Sequence, residues 1–229
     1  MNRLSSANAV VLDLGGPILP VEFLADMRRY TRARLEKFVL DHAEQPVVAA
    51  QIAAVAKTTG DAADDVLAAI GTLEQWCDEE RSAAPLMAIE EMIWKAGFEA
   101  GALRTPIFDD AFQQMRSWVG RRVPLYTFST APASIQRLAL RLSDKGDLTA
   151  LIAGYFDPAT GKKLAPVSYT AIARQVKRAQ ETIVFFSDAP AELRAARDAG
   201  LTTVLVLRPD TKVDARAWDG EVVTKLNGL

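Results

Sequence analysis

The chain has 229 residues, enough for one large domain or two modest ones, and its 49% apolar and 24% charged residues are ordinary for a soluble globular protein. A net charge near −2, with aromatic residues not interleaved with Lys/Arg runs, excludes a basic nucleic-acid or membrane-facing surface and a base-stacking platform. One cysteine, Cys77, rules out an internal disulfide, one Cys and one His leave too few soft ligands for zinc, and no long apolar run or signal pattern is seen, so the reading is a cytoplasmic protein.

The first element is Val10-Val11-Leu12, an apolar run of the kind found in the middle of a parallel sheet. It delivers Asp13 onto a turn containing Gly15 and Gly16, at the carboxyl end of a strand, where open α/β sheets place ligands. From Val21 to Leu103 the pattern is helical. Phe23, Met27, Tyr30, Leu35, Phe38 and Val39 recur at helical spacing, and Asp41 to Pro46 break the pattern. Val47–Lys57 and Ala62–Glu80 follow as helices, separated by Thr58-Thr59-Gly60-Asp61, a turn and N-cap signature. Leu86–Gly101 is the last helix of this stretch.

From Phe108 helices and strands alternate. The helices are Asp109–Val119 (ended by Gly120), Ala133–Leu142, Val167–Arg178 and Ala191–Ala199 (ended by Gly200). The strands are Val123–Phe128, Leu151–Phe156, Thr182–Phe186 and Thr202–Leu207, with Pro124 near the start of the first. This order predicts an α/β fold, a Rossmann-like parallel sheet with right-handed crossovers. Residues 1–18 plus about 106–229 are expected to form the sheet domain. Residues about 19–105 are expected to form a helical insert over it, where a lid would lie.

Strand ends of one parallel sheet share an edge, so Asp13, Ser129-Thr130 and Ser187-Asp188 can converge there, with Lys163 following the Gly161 turn. Two carboxylates, a hydroxyl and an ammonium suit phosphoryl chemistry. Asp13 and Asp188 can share a hard cation such as Mg²⁺, and Asp13 can attack phosphorus. Ser129 and Lys163 can hold the transferring oxygens, and Glu192, one helical turn after Asp188, can orient Lys163 or the cation's waters. Blander roles exist for each group. Asp13 can cap its turn, Ser129 a helix, and Lys163 can be an ordinary surface lysine. Asp188 with Glu192 can form an N-cap and acidic first turn. His42 reads as structural, Trp94 and Phe98 as core, and Cys77 has no activating neighbour.

The arrangement resembles the haloacid dehalogenase superfamily, whose four motifs fall in order on Asp13, Ser129, Lys163 and Asp188 with Glu192. Further stretches resemble the enolase-phosphatases (acireductone synthases). They include Asp13-Leu-Gly-Gly-Pro-Ile-Leu-Pro-Val-Glu-Phe23, Ile93–Gly101, Gly154–Asp157, Gly161–Lys163, Ser168-Tyr169 and Val206–Pro209. The resemblance implies a helical cap and a Mg²⁺ site involving Asp13, Gly15 and Asp188. It implies Asp13, Ser129 and Lys163 as catalytic residues, with Ser129, Thr130 and Lys163 on the substrate. Members act on a phosphorylated diketone by enolisation and then dephosphorylation, so a small phosphorylated metabolite is the expected partner.

The departures are specific. Gly15 stands where the family has an acid that moves protons, and Pro17 replaces a threonine. Ser129-Thr130-Ala131-Pro132 replaces Ser-Ser-Gly-Ser, and Ser82 and Met87 replace two lysines near Arg81. Loss of the acid removes general acid–base catalysis, a factor of roughly 10²–10⁴. Three readings follow. The first is a phosphohydrolase with another donor, Glu22 being a candidate, or an undemanding substrate. The second is a relative that binds a ligand or partner without turnover. The third is an enzyme cleaving something other than a phosphomonoester; the superfamily's phosphonate hydrolases also lack this acid but use an imine-forming lysine in the insert, where this chain has Lys37, Lys57 and Lys95 in settings that do not match.

Overall fold

Strand β1 (Ala9–Leu12) is buried on both faces along its whole length, which is why it reads as an unbroken apolar run rather than an alternating one. The computed structural model describes residues 7–60, 62, 64–81, 83–209, 211 and 213–229. Asp61 of the expected turn and Ser82 of the expected lysine pair lie outside the described residues. The chain divides into two compact units, Met1–Phe23 with Arg104–Leu229, and Leu24–Leu103.

The first unit holds a six-stranded, all-parallel sheet formed by β1, β2 (Leu125–Phe128), β3 (Ile152–Phe156), β4 (Ile183–Ser187), β5 (Thr202–Val206) and β6 (Glu221–Val223). The spatial order is β3-β2-β1-β4-β5-β6, so the strand order reverses between β1 and β4. In such sheets the crevice at the carboxyl ends of the two strands flanking that reversal is the usual ligand position. Leu12 pairs with Phe186 on one side and Thr127 on the other, so Asp13 and Ser187 emerge side by side. On one face Ala9, Val11, Phe185 and Leu205 pack with Tyr169, Ile172 and Leu193. On the other, Trp118 of the helix Asp109–Gly120 meets Phe186 at 5.4 Å between ring centroids.

The second unit is helical. The expected first long helix is two, α1 (Val21–Arg32, which begins in the sheet unit) and α2 (Leu35–His42). Ala33 and Arg34 are good helix formers, so propensity does not break the helix there. Packing accounts for it, because the break lets Leu35 and Val39 reach the apolar cluster of α3 (Pro46–Thr59), α4 (Val66–Asp78) and α5 (Ala84–Glu99). Helix α4 starts later than the apolar pattern suggests because the Asp65 carboxylate accepts from Ala68 N at 2.9 Å and fixes the N-cap. His42 is structural, its Nδ1 2.8 Å from Phe38 O and its ring stacked on Phe38. Helices α6 (Asp109–Gly120), α7 (Ala133–Arg141), α8 (Pro166–Val176) and α9 (Pro190–Asp198) belong to the sheet unit. Among the described residues no helix is long and apolar enough to cross a membrane.

Candidate functional site

The turn after β1 is built by backbone bonds that close on themselves. Ile18 N and Leu19 N donate to Leu14 O, and Gly16 N donates to Leu19 O at 2.9 Å. Gly16 takes left-handed backbone at φ 82, which glycine alone adopts without penalty. It also has no room for a side chain, since a Cβ there would fall 2.5 Å from Asp188 Cγ. The turn therefore brings the Asp188 carboxyl against the backbone three residues after Asp13. Asp13 is buried at 8% exposure, and its Oδ1 accepts from Leu14 N at 2.8 Å.

Lys163 reaches this point from the loop before α8. Gly161 allows that loop to fold down on Ser168, whose Oγ occupies the space a Cβ would need and donates to Lys162 O at 2.8 Å. Tyr169 Oη donates to Lys163 O at 2.7 Å, so helix α8 holds the backbone that carries the lysine. Lys163 Nζ then lies 2.6 Å from Asp13 Oδ2 and 2.7 Å from Glu192 Oε2. Burial disfavours its ammonium, but the two carboxylates outweigh that and hold the lysine's pKa above its ordinary value. Glu192 has the opposite balance. Burial first, and then the charge of Asp13, push its pKa up to about 7 against the pull of Lys163 and Ser187.

Ser187 ties these groups together. Its Oγ donates to Glu192 Oε2 at 2.9 Å, lies 3.4 Å from Asp13 Oδ2 and accepts from Ala189 N at 3.1 Å. A hydroxyl has one proton, so the shorter contact takes it. From the sequence, Ser187 is legible only as a strand end. Its sequence signal was its place as the β4 neighbour of Asp13, next to Asp188.

Ser129 is buried just past β2, with its N–H on Phe156 O at 3.2 Å and its Oγ accepting from Ala131 N at 3.2 Å. Thr130 is exposed beside it, outside the hydrogen-bonded group of Asp13, Lys163, Ser187 and Glu192. Gly15 is buried and has only its backbone to offer. Glu22 is exposed near the start of α1. Lys37, Lys57 and Lys95 are exposed as well, and Lys37 is paired with Asp41 at 2.7 Å.

Among the described residues no group of three or more His, Cys, Asp or Glu side chains is gathered as a metal cage. The carboxylates of Asp13 and Asp188 are hard oxygen donors, the chemistry that Mg²⁺ prefers. They do not match a soft-metal site.

Residues 7–200 match the family model described as haloacid dehalogenase-like hydrolase. The chain is 39% identical over 207 residues to "Enolase-phosphatase E1" of Pseudomonas aeruginosa (strain UCBPP-PA14), covering 90% of this chain and 92% of the relative. It is 33% identical over 204 residues to the protein of the same name from Persephonella marina, covering 88% of this chain and 89% of the relative. Among solved structures, the UTR4 protein of Saccharomyces cerevisiae superposes with a TM-score of 0.80 at 22% identity, over 97% of this chain and 100% of that one.

Proposed function

The chain belongs to the haloacid dehalogenase-like hydrolases, and from that premise we propose that it is a Mg²⁺-dependent phosphohydrolase acting on a small phosphorylated metabolite through an aspartyl phosphate. The observation that carries the reading is the buried Lys163 ammonium 2.6 Å from Asp13 Oδ2, a cation fixed at the atom that would attack phosphorus. Relatives named enolase-phosphatase support a phosphate ester of that general kind.

In this mechanism an Asp13 carboxylate oxygen bonds to phosphorus while the ester P–O bond breaks and the leaving oxygen takes a proton from solvent water. Water then attacks the same phosphorus, the P–O bond to Asp13 breaks, and phosphate and free carboxylate result. Lys163 and Ser129 hold the non-bridging oxygens, where fixed donors in a buried site act most strongly. Glu192 and Ser187 keep the Lys163 ammonium aimed at that point. Asp13, Asp188 and the Gly15 carbonyl would hold Mg²⁺, which supplies charge neutralisation on the phosphoryl group. Gly15 supplies no proton to the leaving oxygen, so esters with good leaving groups are favoured substrates.

The test is phosphate release by purified protein with Mg²⁺ from a broad phosphoester panel that includes p-nitrophenyl phosphate. Turnover that Asp13→Asn abolishes supports the reading. Absence of release, with Asp13→Asn changing nothing measurable, overturns it. One feature, the bare Gly15 backbone, favours a second reading, a relative that binds a phosphorylated ligand in the same place without cleaving it. In that case Asp13→Asn alters ligand affinity while no phosphate appears with either protein.

A further inference from the structure

The phosphohydrolase reading leaves one deeply buried cation without a role. Arg208 follows β5 by two residues and is 6% exposed. A charge so placed needs a counter-ion and a full set of acceptors. Asp110 supplies the counter-ion, with its two oxygens 2.9 and 2.8 Å from Arg208 Nη1. The Phe108 ring lies under the guanidinium at 4.2 Å, and Asp110 also accepts from Leu226 N at 2.6 Å.

An ion pair with Asp110 would be enough to stabilise the charge, yet the rest of the fork points elsewhere. Arg208 Nε donates to Gly16 O at 3.1 Å and Nη2 donates to Pro17 O at 2.7 Å. These are two successive carbonyls of the turn that starts at Asp13. The same Gly16 has the Asp188 carboxyl against its α-carbon. The guanidinium therefore grips the turn whose position sets the spacing between Asp13 and Asp188.

We propose that Arg208 is a positioning residue that clamps the nucleophile-bearing turn and so sets the affinity of the Asp13–Asp188 pair for a divalent cation. The inference rests on the reading of those two aspartates as cation ligands. A rigid planar fork can hold two carbonyls and a carboxylate at once, which a lysine ammonium on a flexible stem cannot.

The test compares Arg208→Lys and Asp110→Asn with wild type. Mn²⁺ serves as the paramagnetic probe of cation affinity, alongside thermal unfolding and p-nitrophenyl phosphate turnover. Outer partners of metal ligands typically contribute about 10–100-fold in affinity or activity. Arg208→Lys should weaken Mn²⁺ binding by about that factor and lower kcat more than it raises KM. Asp110→Asn retains both carbonyl contacts, so it should lower the melting temperature and keep Mn²⁺ affinity within about 3-fold of wild type. Gly16→Ala presses on Asp188 directly and should weaken Mn²⁺ binding even if Arg208→Lys does not fold. Unchanged Mn²⁺ affinity in folded Arg208→Lys or in Gly16→Ala overturns the proposal, as does equal weakening by Asp110→Asn. Wild type that binds Mn²⁺ but releases no phosphate sinks the phosphohydrolase reading alone, and the affinity comparison still decides the role of Arg208. Wild type that binds no Mn²⁺ overturns both.

Discussion

Lys163 Nζ bridges Asp13 Oδ2 at 2.6 Å and Glu192 Oε2 at 2.7 Å from a side chain only 8% exposed. Removing one partner of a buried charged group leaves the others uncompensated, at a typical cost of about 3–5 kcal/mol. Lys163→Met should therefore be less stable than wild type by an amount in that range, read from urea unfolding. Mg²⁺ should restore part of the loss, because a cation held by Asp13 and Asp188 returns positive charge beside Asp13. Turnover of p-nitrophenyl phosphate should fall by about 10²-fold or more, as for loss of a fixed donor to a developing oxyanion. Equal stability of Lys163→Met and wild type without Mg²⁺ would show that the ammonium is not what holds the carboxylates together.

Gln136 is a hub of a different kind. It is fully buried on α7, accepts from Thr127 Oγ1 at 2.6 Å, and donates to Ala131 O and Phe156 O, both at 2.8 Å. These bonds tie together β2, the end of β3 and the loop that carries Ser129. Gln136→Leu keeps the volume but strips Thr127 Oγ1 and Ala131 O of this partner and leaves Phe156 O with Ser129 N–H alone, so it should cost about 1–3 kcal/mol in urea unfolding. A loss under about 0.5 kcal/mol would mean that water or a local shift re-satisfies them.

Lys163 and Gln136 mark the difference between what the sequence reveals and what it hides. A parallel sheet puts all its carboxyl ends on one edge, so the sequence alone groups the polar residues that follow β1, β2 and β4. Lys163 joined them through the Gly161 turn. The β-α alternation likewise made the sheet legible. Gln136, Ser187 and Arg208 were not readable as hubs, because a polar residue on a helix or beyond a strand looks the same whether it faces solvent or a buried carbonyl. The break between α1 and α2 was hidden for a related reason: tertiary packing opens it at residues whose own propensity is helical. The strand β6 is three residues long and mostly exposed, too short for an alternating pattern.

Gly15 tests the proton-transfer argument directly. With no side chain there, the leaving oxygen of an alkyl phosphate departs without a positioned acid. Gly15→Glu should raise kcat/KM on an alkyl phosphate by about 10-fold or more, recovering part of the roughly 10²–10⁴-fold that general acid catalysis supplies. The gain on p-nitrophenyl phosphate should be smaller, because its leaving group needs the proton less. An equal gain on both esters, or none, would sink the idea that the missing acid limits the reaction.

Glu90 offers a pH-dependent prediction in the helical unit. Burial pushes its carboxyl up from 4.5 to about 7, with the positive charge of Arg28 only partly opposing the shift. The folded state then holds this proton more tightly than the unfolded chain does. Its contribution is therefore harmless below about pH 4.5. It becomes increasingly destabilising as pH rises from there through about 7, where the folded protein must ionise a buried group. At about 1.36 kcal/mol per pH unit, the ceiling is about 3 kcal/mol. Glu90→Gln removes the ionisation while keeping the shape. It should be more stable than wild type by about 1–3 kcal/mol at pH 8 and within about 0.5 kcal/mol of it at pH 4.5, read from urea midpoints at both values. A Glu90→Gln protein less stable than wild type at pH 8 would mean that the carboxylate is held by the Arg28 charge rather than penalised by burial.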